Sequence, residues 1–195
     1  MKIKVINVSK DSNDNFLWKS MIAGDETSYS LLFKKYFPIA ISYGKSLLSD
    51  HDKVQDCIQD VFVDIWIYRN SLSREVIVKA YVLASVRKRI ARLHKRDQFF
   101  KKTVSIDSVS FYLDFRIENE LIFDSESAIR VKKLNLLVNN LPSRQKEALY
   151  LRYHQSLSVE QIAVILDVNY QSAINLLHRS LLKLRQEGKN LKQFV

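Results

Sequence analysis

Only three glycines and two prolines interrupt a chain of 195 residues, and so few turn-formers are hard to reconcile with a turn-rich β-sandwich or barrel. Long stretches with apolar residues at every third or fourth position stand where turns would be, so the chain reads as all-α. Hydrophobic residues make up 47% of it, enough for real cores. The single cysteine, Cys57, excludes an internal disulfide and leaves no cysteine cluster for zinc, which fits a reducing cytoplasm. The N-terminus, MKIKVINVSKDSNDNF, lacks the apolar run of a signal peptide, and no stretch is long and apolar enough to span a membrane.

The formal net charge of +10 points to an anionic partner, and its distribution is more informative than its sum. Residues 1–73 are neutral. From Arg74 to Arg96 stand eight basic residues (Arg74, Lys79, Arg87, Lys88, Arg89, Arg92, Lys95, Arg96) against the lone acid Glu75. Between Asp97 and Ser127 the balance turns acidic, and from Ala128 onward it is basic again. Two cationic blocks flanking an anionic segment suggest two nucleic-acid contacts on one chain.

The stretch SVEQIAVILDVNYQSAINLLHRSLLKLR, Ser158 to Arg185, reads as two helices joined by a very short turn. Ser158 and Gln161 form a Ser-x-x-Gln capping box at the first helix start. That helix buries Ile162, Ile165 and Leu166 and ends at Asp167-Val168-Asn169. Asn169 can cap the second helix, where Ala173, Leu177, Leu181 and Leu184 recur as one buried stripe. The opposite side of its first turns carries Gln171, Ser172, Asn175 and Arg179, short or planar side chains suited to base edges, with a cation for a phosphate. This is what a helix-turn-helix needs, although an ordinary helical hairpin fits these residues equally well.

Upstream, a short helix is expected from Phe16 to Ile22, closed by Gly24, with Asp25 capping the next. The second helix carries an aromatic stripe (Tyr29, Leu32, Phe33, Tyr36, Ile39, Ala40, Tyr43), with Pro38 expected to bend it. In DKVQDCIQDVFVDIWIYR, Val54, Ile58, Val61, Ile65 and Tyr68 form the buried arc. The other side presents Asp56, Gln59, Asp60 and Val63, with Asp64 and Trp66 at its margin. A tryptophan and a valine among carboxylates mark a protein-binding surface. Asp56, Asp60 and Asp64 at i, i+4 and i+8 are alternatively placed to ligate a metal, but no Glu-x-x-His pair accompanies them.

After a break at Asn70–Ser73, a helix from Val76 to Arg96 keeps Val82, Val86, Ile90 and Leu93 on one side. Lys88, Arg92, Lys95 and Arg96 line another, spaced to follow a phosphate backbone. Residues 98–127 lose periodicity and gain acids, as in an extended linker, with Phe111, Tyr112 and Phe115 as the part that docks. Helicity returns near Ala128 (Val131, Leu134, Leu137, Val138) and pauses at Asn140-Leu141-Pro142. Ser143 is expected to cap a helix carrying Ala148, Leu149 and Leu151.

Three segments together resemble a bacterial RNA polymerase sigma factor of the sigma-70 family, in its small two-domain extracytoplasmic-function (ECF) group. DCIQDVFVDIW resembles the region that docks on core polymerase. YVLASVRKRIARLHKR resembles the helix that engages the melted downstream promoter box, and LPSRQKEALYLRYHQSLSVEQIAVILDVNYQSAINLLHRSLLKLR resembles the promoter-binding C-terminal domain. The Asn-Tyr-Gln-Ser turn is most similar to the iron-uptake-type sigma factors of Bacteroides-like bacteria. The likeness spans nearly everything but the first dozen residues and the linker. It implies a domain over residues 14–97, an acidic linker over 98–127 and a helix-turn-helix domain over 128–187.

By the same resemblance Asp56, Gln59, Asp60, Val63 and Trp66 would hold core RNA polymerase. The Ser71–Val76 loop, with Ser73 and Arg74, would capture an unstacked base, while Lys79, Lys88, Arg92, Lys95 and Arg96 grip the melted downstream box. Gln171, Ser172, Asn175 and Arg179 would read the double-stranded upstream box. The resemblance further implies no catalysis, no metal or other cofactor, a cytoplasmic protein not inserted in membrane, and control by an anti-sigma factor. Departures are Lys88 where the family usually has Asn, Arg92 where it has Asp, Asp167 where it has Gly, and uncharged Ile174 and Leu176 in the recognition helix. The rival readings are a stand-alone helix-turn-helix regulator and a metal enzyme using Asp56, Asp60 and Asp64.

Overall fold

The computed structural model describes residues 12–99, 111–112 and 125–192. Those residues form eight α-helices, a 3-10 turn and a π-helical turn, with no strand among them. The chain divides into two compact units, Met1–Val109 and Ser110–Val195. None of the described helices is long and apolar enough to cross a membrane.

The first unit packs α1 (Ser12–Ile22), α2 (Glu26–Leu47), α3 (His51–Ile67) and α4 (Val78–Phe99) around one core. Gly24 ends the α1 turn at φ +100°, a conformation that costs glycine nothing, and Asp25 accepts the Thr27 and Ser28 amides at the start of α2. The Ser28 hydroxyl, joined by those amides, holds the Asp25 carboxyl below its ordinary pKa. α1 is bolted to α2 through Asp14, which is buried and accepts hydrogen bonds from Lys35 at 2.6 Å and from the Tyr36 hydroxyl. Pairing is what makes a buried carboxylate tolerable there.

Val54, Ile58, Val61 and Ile65 are buried on α3, and Val82, Val86 and Ile90 on α4, as their spacing predicts. α2 runs past Pro38 as one helix. Gly44 lets it approach α3 closely, since a Cβ at that position would stand 2.8 Å from the Val54 side chain. Tyr68, expected in the buried arc, is exposed instead. It caps α3 at φ −95°, ψ 14°, and leaving helical geometry turns it off the stripe.

The second unit contains α5 (Ser125–Asn139), α6 (Ser143–Leu149), the π-helical turn Tyr150–His154, α7 (Val159–Leu166) and α8 (Tyr170–Lys192). Ala148, Leu149 and Leu151 are buried as expected. Ser143 is not the cap of α6: Pro142 holds that position without a side-chain bond, and Ser143 is already helical. The Gln145 amide, which a capping hydroxyl would accept, donates to the Pro142 carbonyl at 2.9 Å instead. At the end of α5, Lys146 and Lys183 donate to the Asn139 and Asn140 carbonyls at 3.4 and 3.1 Å, placing cations on the negative end of the helix. Burial pushes the Lys146 ammonium below its ordinary pKa.

Phe111, from the stretch read as linker, belongs to this unit. It is 1% exposed, with its ring 5.5 Å from that of Tyr150. Tyr150 stacks on His154 at 4.7 Å and its hydroxyl accepts from Gln155 at 2.9 Å. Tyr112 is exposed. Phe115 and the rest of the acidic stretch, residues 100–110 and 113–124, lie outside the described residues.

Candidate nucleic-acid interface

The helix-turn-helix forms as the sequence dictates. Both capping-box bonds are present: the Gln161 amide donates to the Ser158 hydroxyl at 3.3 Å, and the Ser158 amide to the Gln161 side chain at 2.8 Å. The Ser158 hydroxyl also holds the Glu160 carboxyl below its ordinary pKa. α7 buries Ile162, Ile165 and Leu166, then stops at Asp167, whose φ 55°, ψ 50° is left-handed. Glycine adopts that conformation at no cost, and aspartate is among the few other residues that occupy it readily. The Asn169 side chain then accepts the Ser172 amide at 2.7 Å and opens α8.

On α8, Ala173 is fully buried, but Leu177, Leu181 and Leu184 are only half-buried. The fully buried position is Ser180, whose hydroxyl donates to the Leu176 carbonyl within the helix. A short side chain with an internal partner lets α8 lie close on α6, where a leucine would hold it off.

The outward side carries Gln171, Asn175 and Arg179, all exposed, while Ser172 is half-buried beside the cap. Gln171 donates to the Asn175 side chain at 3.2 Å, one turn on, so the two amides present themselves as a pair. Sequence reasoning missed Tyr170 and His178, both exposed. The signal was available in the spacing, since His178 lies seven residues after Gln171 and so on the same side of the helix.

In the first unit, Lys88 and Arg92 are exposed one turn apart on α4, while Lys79 is half-buried and already engaged. Lys95 and Arg96 fall on the last turns of α4, and their side chains lie outside the described residues. Arg89 lines one groove with Arg92 and turns toward α3. It donates to Asp64 at 3.0 Å and to Asp60, clamping α4 to α3. Two of the three carboxylates of the candidate metal triad are therefore ion-paired, and no group of three metal-binding side chains occurs among the described residues.

Asp56, Gln59, Asp60 and Val63 form an exposed stripe on α3, and Ile67 extends it by one more turn, 58% exposed. Its spacing of four from Val63 is the sequence signal that puts it there. Trp66 is not free on this stripe. Its ring lies 5.0 Å from Tyr29 on α2 and 4.4 Å from the Arg69 guanidinium. Between α3 and α4, Ser73 and Arg74 are exposed on a loop that begins with the 3-10 turn Arg69–Ser71.

Residues 132–184 match the family model for sigma-70, region 4, which covers α5 from Lys132 through the first four turns of α8. The fold of the chain recurs in two solved structures. One is CnrH in complex with the cytosolic domain of CnrY: 14% identity, TM-score 0.58, covering 91% of this chain and 97% of that one. The other is the sigma factor RpoE in complex with the anti-sigma factor NepR from Bartonella quintana: 21% identity, TM-score 0.59, covering 84% and 98%. No curated protein sequence matches the chain.

Proposed function

We propose that this chain is a sigma factor of the extracytoplasmic-function type, which binds core RNA polymerase and directs promoter recognition and melting. The observation that carries the reading is the capped α7–α8 pair inside a sigma-70 region 4 match, with Gln171, Asn175 and Arg179 exposed on the outer side of α8. A helix with paired amides and a cation on its first turns fits the major groove, where amides bridge adenine edges and the guanidinium meets guanine or phosphate. The first unit, with Lys88 and Arg92 on one helix next to an exposed loop, supplies the place for a melted strand. The stripe Asp56, Gln59, Asp60, Val63 and Ile67 is the docking surface for core polymerase. Asp60 is already paired with Arg89, so Asp56 is the carboxylate it offers a basic partner, and its two exposed aliphatics supply the apolar contact.

In this account the protein catalyses no bond-making step. α8 of the second unit holds the duplex upstream box, and the first unit stabilises the separated strands downstream. The complex of RpoE with the anti-sigma factor NepR supports an anti-sigma factor as the regulator here too. Membership of the iron-uptake subgroup rests on the Asn169-Tyr170-Gln171-Ser172 turn alone.

The test is co-elution of the full chain with core RNA polymerase on a sizing column, beside Val63→Glu and Ile67→Glu variants. The wild type is expected to comigrate and both variants to elute free while keeping their helical signal. A wild type that shifts duplex DNA but never comigrates with core makes the chain a free-standing regulator and overturns the reading.

A further inference from the structure

The loop that follows α3 is held from an unexpected direction. The Trp18 indole N–H, on α1, donates to the Ser73 carbonyl at 2.9 Å, across 55 residues of sequence. Trp18 is 1% exposed, and its ring meets Tyr81 of α4 edge-on at 5.2 Å, so it cannot swing away. The start of the loop is fixed locally, by the Ser71 and Leu72 amides on the Tyr68 and Arg69 carbonyls and by Arg69 on the Trp66 carbonyl at 2.8 Å. Past Ser73 the backbone rises into Arg74 and Glu75, which are exposed. The Trp18 bond falls at the boundary between these two parts.

We infer that Trp18 is a positioning residue for base capture: it sets the register of the 69–77 loop so that Ser73 and Arg74 meet an unstacked base of single-stranded promoter DNA. The inference rests on the proposed promoter-melting function and deepens it. A pocket for a flipped base must be in place before the base leaves its stack, because the unstacking cost is recovered only through contacts already aligned. A loop with an unanchored centre spends its time in conformers that do not match the base, and each reduces selectivity. The indole supplies the anchor from α1, a helix that carries none of the cationic residues assigned to DNA. Its ring shape packs α1 on α4, and its N–H is the bond that ties the loop to α1, beside the local Ser73 hydroxyl bonds to the Glu75 backbone at 3.3 and 3.4 Å. The two roles are therefore separable by chemistry.

The experiment uses the full chain bound to core RNA polymerase and a fork-junction DNA pool with a duplex upstream arm and a randomised single-stranded non-template tract. Sequencing the bound fraction gives the base preference at each position. Trp18→Phe removes the N–H and shrinks the ring. Trp18→3-benzothienylalanine removes only the N–H, keeping the ring's size and its contact with Tyr81. Both variants are expected to lower the preference at the captured position about fivefold, the population shift that one net hydrogen bond supports. Affinity for core polymerase and the thermal midpoint of the isosteric variant stay at the wild-type values. An isosteric variant that discriminates like the wild type overturns the positioning role. A wild type that comigrates with core but prefers no base at any position removes the promoter reading itself, and the inference with it.

Discussion

Replacing Phe111 by alanine tests whether a residue far outside the region 4 match is part of that domain's core. The side chain is 1% exposed and rests on Tyr150, which in turn stacks on His154 at 4.7 Å. Removing a fully buried phenylalanine costs about 3–5 kcal/mol, the lost transfer energy plus the cavity left behind. A domain of this size is stable by only about 5–10 kcal/mol, so the variant should lose a third or more of the second unit's stability. The effect should also be confined to that unit. Hydrogen exchange on the full chain reads both points: at about 1.4 kcal/mol per decade, the slowest amides of α6, α7 and α8 should exchange faster by roughly two to nearly four orders of magnitude. Those of α2 and α3 should not change. Tyr112→Ala, one residue on and exposed, is the control and should stay within about 0.5 kcal/mol of wild type. Phe111→Ala exchange rates in α6–α8 within threefold of wild type would refute the claim that this aromatic is a core residue.

Three further outcomes follow from the geometry. Asp167→Gly should stabilise the second unit by roughly 0.5–1 kcal/mol in urea unfolding, because a left-handed residue without a Cβ carries no steric cost at φ 55°. Burial raises the phenol pKa values of Tyr29 and Tyr81 above their ordinary value. The fold favours the neutral phenols, so their contribution is full below about pH 10 and lost as pH rises through the raised values, and Tyr29→Phe should flatten that alkaline loss. Arg179→Ala should lower the slope of log affinity against log salt for upstream duplex DNA by about 1, the signature of one lost phosphate contact, and an unchanged slope would place Arg179 away from the backbone.

How far the sequence could be read depends on where the determining forces are local. The α1–α2 turn, the capping box at Ser158 and the Asn169 cap were all legible, because each needs only side chains within three residues of the groups they satisfy. The buried arcs of α3 and α4 were legible from period alone except at their ends, where Tyr68 is exposed and Leu93 half-buried, as was the exposed set of Gln171, Asn175 and Arg179 on α8. What escaped depends on partners distant in sequence. Arg89 counts as one more cation in a basic stretch until α3 brings Asp60 and Asp64 against it. Trp66 looks like a free docking aromatic until Tyr29 of α2 packs against its ring. Ser180 reads as a gap in a leucine stripe, yet helix-on-helix closeness favours the small residue over the large one. Trp18 gives no sign in sequence that its N–H belongs to a loop 55 residues away.

The central claim is tested most directly by transcription itself. Core RNA polymerase is supplied with a pool of random-sequence duplex templates, with and without the purified chain, and the 5′ ends of the transcripts are sequenced. The account predicts defined start sites that appear only with the chain, sharing one sequence box upstream and a second at the melted region. If the same core preparation initiates with an established sigma factor but yields no transcripts above background with this chain, the account is contradicted.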